Sequence, residues 1–280
     1  MTNKLNMSAN QAFKIGSVQM VSTLDPMNNL HRACELIKKA AGQGCQMVVL
    51  PEYFCFFGHS DKDKFKIQEK IGGGPLQDGL ASVAQKEKIY VVAGTLPISS
   101  DQSDRLWNTS LVFSPTGSVH ARYDKIHLFA FQQGDESYDE AKTLLAGNQS
   151  CTFDVQTLEE SWKFGLSICY DIRFPELYRE MGEVDAHILP AAFTHTTGGA
   201  HWEILLRARA IENQSYFIAA AQGGLHENGR RTWGQSLICD PWGKLINTLT
   251  EGEGVVIGEL SKELIKEVRS KLPALKHRRK

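Results

Sequence analysis

From Phe13 to Met20 the chain alternates apolar and polar residues, Phe13-Lys-Ile-Gly-Ser-Val-Gln-Met20, the period of a half-buried strand. The period then lengthens. After Asp25-Pro26, the residues Leu30, Ala33, Cys34, Ile37, Ala40 and Ala41 fall at three-and-four spacing, which predicts a helix that Gly42 can end. Met47-Val-Val-Leu50 has no alternation and reads as a strand covered on both faces, with Pro51-Glu52 immediately past its end. A helical region around Leu80 to Lys86 leads to a second such strand, Ile89 to Gly94. Ser110-Leu-Val-Phe113 and Ser118-Val-His-Ala121 form a hairpin about Ser114-Pro-Thr-Gly117, where Pro and Gly supply the turn geometry.

The second half echoes the first. Phe164 to Ile168 is a short apolar run of strand type, and Pro175-Glu-Leu-Tyr178 reads as the first turn of a helix. Ala186-His-Ile-Leu-Pro190 stops at Leu-Pro as Val48-Val-Leu-Pro51 does. His201 to Asn213 is predicted as a helix, with Trp202, Leu205, Leu206, Arg209 and Asn213 on related turns. Tyr216 to Ala221 parallels Tyr90 to Gly94, and Ser236 to Gly243 repeats the Ser-Leu-x-x-x-Pro-x-Gly pattern of Ser110 to Gly117. Matched features in one order predict two related βα halves rather than two independent domains. The architecture expected is α/β, a four-layer αββα sandwich with two sheets face to face and helices outside. A strand over Gly254 to Glu259, a helix from Ser261 and a solvated basic tail, Lys276-His-Arg-Arg-Lys280, close the chain. The expected division is a flexible leader at 1–11, one catalytic domain at 12–260, and a C-terminal helix and tail at 261–280.

Composition narrows the function classes. A net charge of -1 over 280 residues gives no basic or acidic bias toward nucleic acid or a membrane surface. Met1 to Gln11 lacks the apolar run of a signal peptide, and no stretch approaches the ~18 apolar residues of a membrane span. The cysteines Cys34, Cys45, Cys55, Cys151, Cys169 and Cys239 are scattered with no C-x-x-C pair. That argues against a zinc site or a secreted disulfide framework and for a reducing compartment, so a soluble cytoplasmic protein is expected.

Three chemistry-bearing residues fall at strand ends. Cys169 lies where a strand stops and a helix is about to begin, at the sheet's carboxyl edge, where open α/β sheets bind ligands. A thiol there can be a nucleophile, or simply an inert buried cysteine. Glu52 follows a buried strand in an apolar rim of Tyr53, Phe54, Phe56 and Phe57, where desolvation raises a carboxyl pKa toward that of a general base. A helix-capping or salt-bridged acid is the alternative. Lys125, in Tyr123-Asp-Lys-Ile-His127, follows the hairpin strand and could reach the same edge, or be an ordinary surface lysine. Together they make an acyl-transfer set: a thiol, an acid to take its proton and a cation to hold the developing charge.

With Val-Val-Leu-Pro-Glu52, Tyr-Asp-Lys125-Ile-His-Leu-Phe and Ser-Ile-Cys169-Tyr-Asp-Ile-Arg-Phe-Pro-Glu-Leu, the chain resembles the nitrilase superfamily of carbon–nitrogen hydrolases from about Phe13 to about Arg278. The resemblance implies the αββα sandwich, a homodimer or higher homo-oligomer, and a Glu–Lys–Cys triad without metal or cofactor. Glu52 would be the general base, Lys125 the oxyanion cation and Cys169 the nucleophile. Glu140 would position the lysine or the substrate, and the Tyr170 N–H would be the second oxyanion donor. Pro190-Ala-Ala-Phe-Thr194, Leu206-Arg-Ala-Arg-Ala-Ile-Glu-Asn-Gln214 and Trp233-Gly-Gln-Ser look like the Nit1/Nit2 branch, leaning toward its deaminated-glutathione amidases. The neighbouring type is ω-amidase, acting on α-ketoglutaramate and α-ketosuccinamate. The partners expected are therefore a small carboxylate-bearing amide, losing ammonia through a thioester, and water. Ala130 stands where such amidases commonly have Asp. Arg173 is the nearest guanidinium for a substrate carboxylate, unless Glu176 or Asp171 pairs with it. Phe193, Thr194 and His195 are expected to line the opposite side of the cleft.

Overall fold

In the computed structural model, which describes residues 12–134 and 136–279, two sheets are built to one plan. The first runs Gly254–Leu260, Phe13–Gln19, Met47–Val49, Tyr90–Val92, Leu106–Phe113, Leu96–Ser99. The second runs Cys151–Gln156, Ser161–Leu166, Ala186–Ala191, Tyr216–Ala221, Ser236–Cys239, Leu245–Leu249. In each, the three central strands are parallel to one another and antiparallel strands flank them on both sides. The antiparallel strand after the third parallel one then turns into a hairpin, onto Val119–Asp124 in one sheet and Leu245–Leu249 in the other. This is the internal likeness that the two Leu-Pro strand ends and the two Ser-Leu-x-x-x-Pro-x-Gly turns predict.

The unalternating strands are covered on both faces. Met47, Val49 and Val92 join Phe13 and Ile15 in a core shared with the second sheet, while Val48, Leu50, Val91 and Ala93 pack outward against Leu30, Ile37, Leu80 and Val83 of two helices. Phe13 meets Trp162 and Phe164 across the inter-sheet layer, each ring pair at 5.4 Å between centroids. The first helix, Pro26–Gly42, starts as expected: Asp25 accepts hydrogen bonds from the N–H groups of Met27 and Asn28. On the far side, the helix His195–Asn213 lays Trp202, Leu206 and Ala210 on the second sheet. The layers are thus helix, sheet, sheet, helix, as expected.

That last helix begins at His195, six residues before the predicted start. Thr194 caps it, and Gly198 and Gly199 lie inside its first turns. A Cβ on Gly198 would stand 2.2 Å from that of Trp233, so glycine is what lets the indole pack there. The closing strand, Gly254–Leu260, and the helix Lys262–Lys271 capped by Ser261 agree with the sequence reading. The leader expected at 1–11 lies outside the described residues. Among the described residues no helix is long and apolar enough to cross a membrane.

His187, in the middle of Ala186–Ala191, is fully buried and neither ring nitrogen has a hydrogen-bond partner among the described residues. It packs edge-on to Tyr178 at 5.1 Å between centroids. Burial, helped by the Arg269 charge, pushes its pKa down to about 3. The imidazole is therefore neutral when folded but protonates when unfolded near its ordinary pKa of about 6.5. Because the folded pKa is the lower one, stability is fully present above about pH 6.5 and is lost as pH falls toward 3. We expect wild type to lose about 2.5 kcal/mol more than His187→Leu between about pH 7 and about pH 4.5, measured by urea unfolding. Parallel losses in the two proteins would show that His187 is not the source.

Candidate active site

The ends of strands from both sheets converge on one chamber of about 410 Å³. Glu52 comes from the loop after Met47–Val49, Lys125 from the end of Val119–Asp124, and Cys169 from the turn after Ser161–Leu166. Glu140 opens a short 3-10 turn, Glu140–Lys142, behind a hairpin of Ala130–Gln133 with Glu136–Asp139. Gly94, at φ 56°, brings the neighbouring strand end against the Pro51 carbonyl, where a Cβ would lie 2.0 Å from the oxygen. Glu52 is thereby fixed at the edge of the sheet.

Lys125 is 1% exposed, so the surface-lysine alternative falls away. Its Nζ lies 2.9 Å from Glu52 Oε1 and 2.9 Å from Glu140 Oε1. The Nζ also lies 2.8 Å from Glu140 Oε2, so three carboxylate oxygens surround the ammonium. Glu140 is held in turn by the Tyr53 hydroxyl at 2.7 Å on Oε1 and by the Phe129 N–H at 2.7 Å on Oε2. Glu52 accepts from Asn108 Nδ2 at 3.0 Å and, through Oε2, from the Ala192 N–H at 3.0 Å. Cys169 shares the chamber with Glu52 and Ala192, and the Glu52 carboxylate and the Cys169 thiol each bear on the other's charge.

Burial pushes the Glu52 carboxyl above its ordinary range, against the pull of Lys125. Burial acts the same way on Glu140, but the Lys125 ammonium and the donors from Phe129 and Tyr53 outweigh it and hold that carboxyl down. Burial would lower Lys125; the two carboxylates override it and hold the ammonium charged. Burial and the Glu52 charge raise the Cys169 thiol well above its usual value. The arrangement at rest is a protonated thiol beside a carboxylate that can take its proton.

Cys169 is held in a left-handed conformation, φ 46°, at the start of the 3-10 turn Cys169–Arg173. Asp171 fixes that turn from below. Its Oδ2 accepts from the Ile168 N–H at 2.8 Å and the Tyr123 hydroxyl at 2.7 Å; its Oδ1 lies 2.7 Å from His127 Nδ1 and accepts the His127 N–H at 3.0 Å. Tyr123 and His127 flank Lys125, so one buried carboxylate ties the lysine segment to the nucleophile turn. It was therefore not available to Arg173.

Arg173 does line the chamber. Its guanidinium lies over the Tyr170 and Phe193 rings and its Nη1 is 3.2 Å from His201 Nδ1, rather than paired with Glu176 or Asp171. Tyr170, Phe193 and Thr194 line the chamber too, although the Thr194 hydroxyl is engaged with Thr197 Oγ1 at 2.9 Å. His195 does not belong with them. As the first helical residue it turns away and stands edge-on to Trp233 at 5.1 Å. The apolar rim expected around Glu52 is also divided: only Tyr53 faces this chamber, Phe54 lies in the outer core, and Phe56 and Phe57 line an adjoining cavity. Ala130 is exposed and pairs with Asp139 in the hairpin, which still delivers the Phe129 N–H to Glu140.

Sequence reasoning missed Asn108 and Arg230, and it gave Tyr53 and Asp171 other roles, part of the apolar rim and a partner for Arg173. Asn108 carried one signal, a polar residue in the apolar strand Leu106–Phe113 that turns out 2% exposed. Arg230, on a loop far from the signature motifs, carried none.

The chain matches the family model described as carbon–nitrogen hydrolase over residues 14–270. It belongs to the carbon–nitrogen hydrolase family. A deaminated glutathione amidase from Synechocystis sp. is 39% identical over 94% of this chain and 96% of its own length. The omega-amidase NIT2 of Mus musculus is 36% identical, covering 95% of each. Among solved structures, Nit3 of Saccharomyces cerevisiae, a member of branch 10 of the nitrilase superfamily, superposes with a TM-score of 0.82 at 33% identity over 94% of this chain and 95% of that one. The nitrilase-superfamily resemblance and the sandwich it implied both hold, and this carbon–nitrogen hydrolase is an enzyme.

Proposed function

We propose that this carbon–nitrogen hydrolase is an amidase that cleaves a small carboxylate-bearing amide through a thioester at Cys169, with deaminated glutathione as its preferred substrate. The observation that carries the reading is the convergence of thiol, base and buried cation on one chamber. The thiol proton passes to Glu52 as Sγ attacks the amide carbon. The resulting oxyanion is stabilised by the charge of Lys125 and by the N–H of Tyr170, at the opening of a helical turn whose first N–H groups have no partner within it. Glu52 hands the proton to the nitrogen, the carbon–nitrogen bond breaks and the amine leaves. Water then attacks the thioester, Glu52 takes its proton, and the expelled thiolate recovers it as the carboxylic acid is released.

Glu140 holds the lysine, and Arg173 is the group for the carboxylate of the acyl part. A guanidinium resting on two aromatic faces, without a carboxylate partner among the described residues, keeps its planar fork open for such a ligand. Phe193 and Thr194 shape the wall beside it. The six free thiols support a reducing, cytoplasmic location. Exposed Ile204 and Ile211 on one helix face, with Trp242 on the adjacent turn, support a homodimer or higher homo-oligomer.

Deaminated glutathione and α-ketoglutaramate share one acyl group. The primary amide releases the expected ammonia; that expectation fails for the longer substrate, whose amide nitrogen belongs to a dipeptide and leaves as an amine from the same thioester. A second cavity borders the chamber across Tyr53 and Arg230, room on the amine side that would serve only the longer substrate. We therefore expect kcat/KM for deaminated glutathione to exceed that for α-ketoglutaramate at least tenfold, about 1.4 kcal/mol of transition-state discrimination. A direct competition assay checks it, and the reverse ranking would make this an ω-amidase.

A further inference from the structure

The second cavity, about 320 Å³, shares Tyr53 and Arg230 with the catalytic chamber. It is lined as well by Phe56, Phe57, Asp61 and Lys64, whose Nζ lies 5.6 Å from the centre of the Tyr53 ring. Its charge is distinctive. Arg230 lies over the Phe57 ring at 5.0 Å and the Tyr138 ring at 4.7 Å, with no carboxylate partner among the described residues. Lys64 has a side chain only 12% exposed, and its Nζ reaches the Thr143 hydroxyl at 3.4 Å and Asp61 only at 4.0 Å. Burial holds that ammonium below its ordinary pKa despite Asp61, Glu140 and Glu52 around it. Two cations thus face one space that a single, partly exposed carboxylate leaves under-neutralised. Neither group serves the bond-breaking step.

Position says which part of a substrate would reach them. The leaving nitrogen collects its proton from Glu52, so it departs on the Glu52 side of the chamber. Tyr53 is the next residue, and its ring forms the wall shared with the second cavity. Arg173, by contrast, stands on the Cys169–Tyr170–Phe193 side, where the acyl part remains attached.

Building on the amidase reading above, we infer that the second cavity is a leaving-group subsite, in which Lys64 and Arg230 bind a carboxylate carried by the departing amine. The substrate class is then an amide with an anionic group at each end, one held on the acyl side and one on the amine side. The subsite also sets specificity by difference: a primary amide leaves it empty and gains nothing from it.

The test compares three substrates with one acyl group: the primary amide, the amide of a glycine-terminated dipeptide, and that dipeptide amide with its carboxylate methyl-esterified. Lys64→Met keeps an unbranched side chain of similar length near the Tyr53 ring and removes the charge, which lies 5.6 Å from that ring's centre. Expected is a fall of tenfold or more in kcat/KM on the dipeptide amide, with the primary amide within twofold of wild type and a similar fall when wild type meets the ester. Adding Arg230→Gln should deepen the loss on the dipeptide amide. Equal losses on primary and dipeptide amides, or none on either, would overturn the subsite while leaving the amidase reading intact. Wild type turning over no amide of the three would bring down both.

Discussion

Cys169→Ala is expected to reduce turnover by about 10⁴-fold or more, the scale seen when a nucleophile is removed from an assembled site. The physical case for so large a loss is that nothing else in the chamber can replace it. Glu52 and Glu140 are both committed to Lys125, and the other groups near the attack position are backbone N–H groups, which stabilise charge but cannot carry the acyl group. The fold should survive the change. Alanine keeps the Cβ, so the left-handed backbone at φ 46° costs it no more than it costs cysteine. Cys169 belongs to the buried core, but losing one sulfur atom beside an open chamber leaves little new void, and the turn is held by Asp171. The denaturation midpoint should therefore lie close to wild type while mass spectrometry, which should show an acyl adduct on the Cys169 peptide of wild type, shows none. Retention of more than about a per cent of activity would place the nucleophile elsewhere.

What the sequence makes legible here is what is local. A strand that stops at Leu-Pro, followed directly by Glu52, puts the carboxylate at the sheet edge whatever the rest of the chain does. The same holds for Cys169 between an apolar run and a Pro-opened helix, and the repeated hairpin signature exposes the two-half plan. Short strands of mixed character were less visible. The hairpin from Ala130 to Asp139 is largely exposed and polar, and its pairing depends on the loop that carries Glu140. The helix starts six residues before the expected place, and its first turns hold Gly198 and Gly199, whose lack of a Cβ makes room for Trp233, distant in sequence. Asp171 has the same character. It reads as an ordinary acid next to the nucleophile, or a partner for Arg173, and only the arrival of Tyr123 and His127 from the other sheet makes it the post that aligns lysine and cysteine. Periodicity places the catalytic groups at their edges; contacts across the two sheets decide what holds them still.

Lys125→Arg carries the second large expectation: a loss of about 10²–10³ in kcat with the charge retained. The ammonium is a compact centre that reaches both carboxylates at 2.9 Å, and its point charge can serve them and the oxyanion together. A guanidinium is planar and larger, and its natural pairing with Glu52 or Glu140 is a fork of two parallel bonds. Satisfying one carboxylate in that way turns the remaining N–H groups out of line with the attack position. Removing the cation outright is a poorer experiment, because it leaves Glu52 and Glu140 buried without compensation, which costs about 3–5 kcal/mol and confuses stability with catalysis. Arginine separates the two. The variant should unfold near the wild-type midpoint, still form the Glu140 pair, and show its deficit in the acylation rate of a single-turnover experiment. A kcat within tenfold of wild type would mean that Lys125 is there to neutralise two buried carboxylates, and that the oxyanion is held by the backbone alone.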